Sequence, residues 1–405
     1  MGGRMTKDSK HFCILPWIHM HVWPNGKTFP CCLTPYDYDV GNVNDSGLKG
    51  VWNDKPMRDL RQRMLNDEPS ASCERCYEHE RNGYDSLRVN ANRDYAHWKN
   101  YALSSTSDDG SLTDMKLVYL DIRFSNLCNF SCRTCGPELS SSWYEDSLSL
   151  GNIADKYPKF QRLKSTAEDL WTELEPNLQY VEGIYFAGGE PLMMEEHYKL
   201  LDYFIQNGKT DITINYNTNF STLKYKDKDC IELWKQFKNV RIGASVDGMG
   251  ERGEYIRQGF DWDRFEKNVI RLKAELPNLD FYISCTLSIF NALHMPDFHR
   301  YMVVKGYIKP ADWDVNVLLF PEHYRFQILP EQYKQQFIES YERMVSYLEA
   351  QPGTDRAVGG YKSAINYMKE QDLSTSKMEQ FKKITSDLDI LRKQDFATTF
   401  TEFKL

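Results

Sequence analysis

The chain reads as an α/β protein organised around a partial (β/α)6 barrel. From residue 116 onward, short β-branched or aromatic runs alternate with longer amphipathic stretches. Such alternation predicts a parallel sheet, because parallel neighbours need crossover connections. Two further observations set the limits of that barrel. Residues 10–103 form a cysteine- and tryptophan-rich module, and beyond Pro321 the pattern is helical only.

Taken in order, the module combines turn signals such as Pro24-Asn25-Gly26 with a helix over 51–66, where Leu60, Met64 and Leu65 share a face. Asn53 or Asp54 would cap this helix, with Pro56 in its first turn. The polar, glycine-containing segment 104–115 predicts a linker. Strands follow at 116–124, 181–186, 211–216, 240–246, 280–288 and 313–320, with helices at 195–207 and 263–276 among those between them. The segment 116–320 is thus the barrel core. Residues 321–405 form a helical extension, with helices over 331–350, 356–370 and 376–394.

A protein of 405 residues with 41% hydrophobic content can bury a sizeable core. Its net charge of −8 argues against a surface that coats nucleic acid. No apolar run reaches the roughly 18 residues of a membrane span, and the first ten residues lack a secretory h-region, so a cytoplasmic protein is expected. In that setting ten cysteines read as metal ligands or free thiols rather than as a disulfide framework. Cys230 and Cys285 stand alone and read as buried structural thiols.

The chemistry concentrates in Phe124-Ser-Asn-Leu-Cys-Asn-Phe-Ser-Cys-Arg-Thr-Cys-Gly-Pro137, directly after the first barrel strand. Cys128, Cys132 and Cys135 offer an iron-sulfur cluster three thiolates and leave one iron open. A structural zinc site is closed by four ligands, and no fourth is evident here. Chemistry at C-terminal strand ends is the rule for barrels.

With Gly188-Gly-Glu-Pro191 after the second strand, this motif resembles the radical S-adenosylmethionine (SAM) superfamily over residues 116–320. The resemblance implies a [4Fe-4S] cluster on Cys128, Cys132 and Cys135, with SAM chelating the open iron and cleaved reductively to a 5'-deoxyadenosyl radical. It also implies that Gly188, Gly189 and Glu190 meet the SAM amino group. Asn219 and Ser245, at the ends of the third and fourth strands, resemble SAM-approaching positions, and Arg257 is a fork donor suited to the SAM carboxylate. Superfamily members often carry an aromatic residue before the third cysteine, whereas this sequence has Thr134.

A second set lies in the module. Cys13-Ile-Leu-Pro-Trp17, Gly26-Lys-Thr-Phe-Pro-Cys-Cys32, Trp52-Asn-Asp and Cys73-Glu-Arg-Cys76 supply enough thiolates for zinc or for a saturated [4Fe-4S] cluster, and spacing alone does not choose between them. The order resembles SPASM and the shorter twitch auxiliary-cluster modules, although those usually follow the radical domain. The resemblance implies an auxiliary [4Fe-4S] cluster on Cys13, Cys31, Cys73 and Cys76, its Gly-x4-Cys pattern selecting Cys31 over Cys32. His19 and His21 flank the set, but four cysteines already suffice. The expectation is a radical SAM enzyme that modifies a peptide or protein side chain by crosslinking, epimerisation or oxidation. A small molecule, nucleotide or tRNA substrate is the alternative, and a flavodoxin or ferredoxin would supply electrons.

Overall fold

The computed structural model describes residues 9–81, 85–151, 158–164 and 166–404. It divides into two compact units, the first comprising Met1–Asn126, Gln161–Gly188 and Asp202–Ile214, the second Leu127–Phe160, Gly189–Leu201 and Asn215–Leu405.

In the first unit the strands are β1 (His19–Val22), β2 (Lys27–Phe29), β3 (Gly41–Asn42), β4 (Tyr119–Ile122) and β5 (Gly183–Phe186), ordered β3-β2-β1-β4-β5. β1 runs parallel to β4, and β4 parallel to β5, while β2 and β3 add antiparallel to the edge. The amino-terminal module therefore contributes strands to the same sheet as the first barrel strand. One sheet face carries Met20, Val22, Leu120, Ile122, Ile184 and Phe186, all buried. This apolar face follows from the period-2 geometry of strands.

The expected helix over 51–66 is two helices, Val43–Trp52 and Lys55–Leu65. The break has a polar cause. Asn53 leaves the helix to bond Leu112 from both ends of its amide, at 2.7 and 3.0 Å, and Pro56 starts the second helix. Arg61 is fully buried, donates from Nε to the Pro16 carbonyl at 2.9 Å and stacks over Trp52. Trp17 donates to Thr106 Oγ1 at 2.7 Å. These residues brace the module. The segment expected as a linker is tied down on the same unit, with Gln62 bonding the Asp108 carbonyl at 2.6 Å and Arg58 pairing with Asp109 at 2.5 Å.

β6 (Thr213–Thr218) begins in the first unit and continues into the second, where β7 (Asn239–Ser245), β8 (Asp280–Leu287) and β9 (Trp313–Val317) follow it in the order β6-β7-β8-β9. β7, β8 and β9 are parallel. Alternating helices include Trp262–Glu275, which buries Phe265, Val269 and Leu272, an i, i+4, i+7 stripe. The carboxy-terminal segment is helical as expected, with helices Glu331–Glu349, Asp355–Glu370 and Ser374–Arg392. Helix Asp355–Glu370 lies on β9 through Gly360, where a Cβ would meet Val315 Cβ at 3.0 Å. Cys230 and Cys285 are fully buried. No helix among the described residues is long and apolar enough to cross a membrane.

Candidate cluster sites

The three-cysteine loop is built entirely within the second unit. Ser131 and Cys132 pair antiparallel with Gln258 and Arg257, so a two-residue ladder fixes the middle of the loop. Trp143 Nε1 donates to the Cys132 carbonyl at 2.7 Å and Ser142 Oγ to the Cys128 carbonyl at 2.7 Å. Arg133 points away from the thiols, stacks on Tyr255, pairs with Asp389 and bonds Gln394 at 2.9 Å. Each anchor uses an atom other than sulfur. Burial raises all three thiols above their ordinary range, Cys135 to about 12 with Cys132 adding to the effect. Such thiols shed their protons on taking up iron, since only the thiolate ligates.

Glu190 is fully buried beside this loop. Its Oε1 accepts from Leu192 N at 3.1 Å and Thr218 Oγ1 at 2.6 Å, and its Oε2 from Asn219 N at 2.7 Å. Its own amide donates to Leu127 O at 2.7 Å, one residue before Cys128. A carboxylate offers about four acceptor positions, so one on Oε2 is left for a ligand. Burial pushes the Glu190 carboxyl up to about 7 against the lowering effect of those donors and of Arg257.

Asn219 is placed by its side chain as well, Nδ2 donating to Asn129 Oδ1 at 2.8 Å and Oδ1 accepting from Ser221 N at 3.0 Å. Arg257 donates from Nε to Asp247 Oδ2 at 2.8 Å and directs Nη1 to Cys132 Sγ at 3.8 Å. Although burial disfavours the cation, Asp247 and Cys132 keep the Arg257 pKa above its ordinary value. Asp247 Oδ1 in turn accepts from Thr286 N at 2.8 Å. Ser245 ends β7 opposite Ser284 of β8, whose hydroxyl accepts from Asn316 at 2.8 Å.

Glu190, Asn219, Arg257 and Cys132 are thus drawn into one network by direct bonds and charge, whereas Ser245 sits at a strand end apart from these bonds. Gly188 adopts φ +113°, and a Cβ there would crowd the Arg123 side chain at 3.3 Å, which explains the glycine. Sequence reasoning passed over Thr218, Asn129 and Asp247 as ligand-positioning residues. The Asn217-Thr-Asn219 and Ser245-Val-Asp247 runs were the available signal.

The second cysteine set lies in the first unit. Cys13, Cys31, Cys73 and Cys76 line one small cavity with Leu15, Leu33, Leu87, Ser72, Arg75 and Arg88. Cys73 ends a 3-10 turn and Cys76 sits one turn further on helix Glu74–Arg81, which aims both at the cavity. Arg88 closes one side, bonding the Phe12 carbonyl at 2.9 Å and pairing with Glu80. Cys13 is raised well above its usual value by burial and by the three other thiols, and Cys73 to about 11. Mutual repulsion of this kind is what a multivalent cationic centre relieves. Cys32 is exposed and does not line the cavity, nor does His19 or His21. Among the described residues, no group of three or more His, Cys, Asp or Glu converges for a single metal ion. The four thiols surround one small cavity.

Residues 13–77 match an iron-sulfur cluster-binding domain, SPASM, and residues 122–290 match the radical SAM superfamily. GTP 3',8-cyclase of Campylobacter lari is 30% identical over 135 residues, which are 33% of this chain and 35% of that protein. The chain therefore spans about a third of that relative. Among solved structures, native anSMEcpe with bound AdoMet and Cp18Cys peptide is 17% identical at a TM-score of 0.40, over 59% of this chain and 60% of that one. Streptococcus suis SuiB bound to S-adenosylmethionine is 14% identical at a TM-score of 0.35, over 72% and 63%. The chain thus carries a radical SAM match over residues 122–290, with an iron-sulfur cluster-binding domain match ahead of it.

Proposed function

We propose that the protein is a radical SAM enzyme that abstracts hydrogen from a peptide or protein side chain, assisted by one auxiliary [4Fe-4S] cluster. The observation that carries the reading is the three-thiol loop with the buried Glu190 and Arg257 beside it. A reduced [4Fe-4S] cluster held by Cys128, Cys132 and Cys135 would supply the electron that cleaves SAM to a 5'-deoxyadenosyl radical.

The protein's own residues do the rest. Glu190 has one free acceptor position for an ammonium group, and Asn219 fixes that carboxylate through its backbone amide. Arg257, oriented by Asp247, offers donors to a carboxylate and a hydrogen bond to the Cys132 sulfur. Hydrogen bonds to cluster sulfurs raise the cluster's potential, so Arg257 tunes the reduction as well as binding. Cys13, Cys31, Cys73 and Cys76 would hold the auxiliary cluster.

Support for a peptide substrate comes from the auxiliary module, whose resemblance is to modules common in peptide- and protein-modifying enzymes. A nucleotide substrate is the second reading, favoured by the partial likeness to GTP 3',8-cyclase. A flavodoxin or ferredoxin in a reducing cytoplasm is the expected electron source. Anaerobic incubation with SAM, reductant and a deuterated peptide library tests the reading. Deuterium transferred into 5'-deoxyadenosine supports it, and transfer from GTP but from no peptide refutes the peptide assignment.

A further inference from the structure

The sheet of the first unit has one apolar face, described above, and one polar face. On the polar face the register places His21 of β1 opposite Asp121 of β4, and the alternation of β5 brings Tyr185 to the same side. Polar side chains on a sheet face are costly against a helix layer but natural against a polar ligand.

The groups form a clamp rather than a scatter. Trp23 Nε1 donates to His21 Nε2 at 3.0 Å, and an indole can only donate, so His21 is neutral and gives its Nδ1–H to Asp121 Oδ2 at 2.8 Å. Asp121 Oδ1 accepts from Arg123 Nε at 2.9 Å. Although burial disfavours a charged carboxyl, Arg123 and His21 hold Asp121 well below the usual carboxylate range. The Arg123 guanidinium also stacks over Tyr185 at 5.2 Å.

Both Nη groups of Arg123 have no partner among the described hydrogen bonds, although its side chain is only 17% exposed. A guanidinium fixed at Nε and over an aromatic ring, with its fork free, matches one carboxylate bidentately. Lys27, on the same face of the sheet, is already paired with Asp39 at 3.1 Å, which leaves the single Arg123 fork for one carboxylate. The backbone of Gly188 lies against the Arg123 stem and holds it in place. Cys32 is exposed and lies near Asp121 and Arg123.

We propose that this face is a substrate-recognition subsite in which Arg123, positioned by Asp121, His21 and Tyr185, takes one carboxylate of the substrate. The assignment of that carboxylate to a peptide rests on the function proposed above, either as an acidic side chain or as a carboxy terminus. The fork geometry does not depend on it.

Cys32 provides the readout. In the cluster-loaded enzyme its alkylation by iodoacetamide is followed by mass spectrometry with three probes: N-acetyl-aspartate amide, N-acetylalanine, and neutral N-acetyl-asparagine amide. A carboxylate seated on Arg123 shields Cys32 from the reagent. At twice its Kd a carboxylate slows alkylation about threefold. Protection by the aspartate probe identifies an acidic side chain, and protection by N-acetylalanine a carboxy terminus. Arg123→Gln abolishes it, and the double variant Asp121→Asn/Arg123→Gln, which leaves no buried carboxylate unpaired, does the same. Equal rates with all probes, protection by the neutral amide, protection surviving in the double variant, or protection by SAM alone would each overturn the subsite. Formation of 5'-deoxyadenosine from SAM without substrate, in the same wild-type preparation, reports on the radical SAM reading separately.

Discussion

Replacing Glu190 by Gln, and titrating the wild type alongside, probes the proposed SAM amino-group contact. Glu190 accepts three protein hydrogen bonds and keeps one acceptor position, while burial raises its carboxyl to about 7. An ammonium ligand needs the ionised form. With a pKa of about 7, the ionised fraction is roughly 1/11 at pH 6 and roughly 10/11 at pH 8, so SAM binding weakens about tenfold between them. Glu190→Gln keeps an acceptor for Thr218 and Leu192 but presents an amide to the ammonium. Losing one charged hydrogen bond costs about 1.5–3 kcal/mol, or about 10- to 150-fold in Kd at pH 8. Equilibrium dialysis of SAM against the cluster-loaded protein from pH 6 to 8 reads both effects, with the Gln variant reporting any contribution from SAM's own titration. A wild-type profile no steeper than the variant's, or a variant with wild-type Kd at pH 8, refutes the contact. The same shift makes a stability statement. Because the folded pKa lies above the ordinary 4.5, the stabilisation is present below pH 4.5 and lost as pH rises through 7, roughly 3 kcal/mol over that window.

Other substitutions separate the remaining assignments. Cys31→Ala lowers reconstituted iron from about eight to about four per protein molecule, whereas Cys32→Ala leaves about eight; iron and sulfide analysis reads the difference, and the reverse outcome would reassign the ligand. Asp247→Asn strips the buried Arg257 of its counterion and costs about 3–5 kcal/mol, seen as a fall of several degrees in Tm, because an unpaired buried cation remains. A Tm within one degree of wild type would show that the pair carries little of the local stability.

The barrel strands were legible because each is a run of β-branched or aromatic residues between amphipathic helices. Observed strands such as Asn239–Ser245 and Asp280–Leu287 lie within a residue or two of their expected limits. His19–Val22 was not read as a strand. Four residues give two periods, and the histidines on its polar face broke the hydrophobic signal that Met20 and Val22 alone could not supply. The helix break at Asn53 and the tethering of Asp108 and Asp109 depend on partners about 45–60 residues away in sequence, which no local pattern encodes. At the sites, cysteine spacing carried the thiols, and the cavity separates Cys31 from Cys32. The supporting bonds of Glu190 and Arg257 come from side chains that read singly as turn residues.

The central claim is that Cys128, Cys132 and Cys135 hold the cluster that cleaves SAM. Anaerobically reconstituted wild type, given SAM and a low-potential reductant, should form 5'-deoxyadenosine, and the triple alanine variant at these cysteines should form none while keeping about four irons on the auxiliary site. SAM cleavage at an undiminished rate by the triple variant would contradict the account.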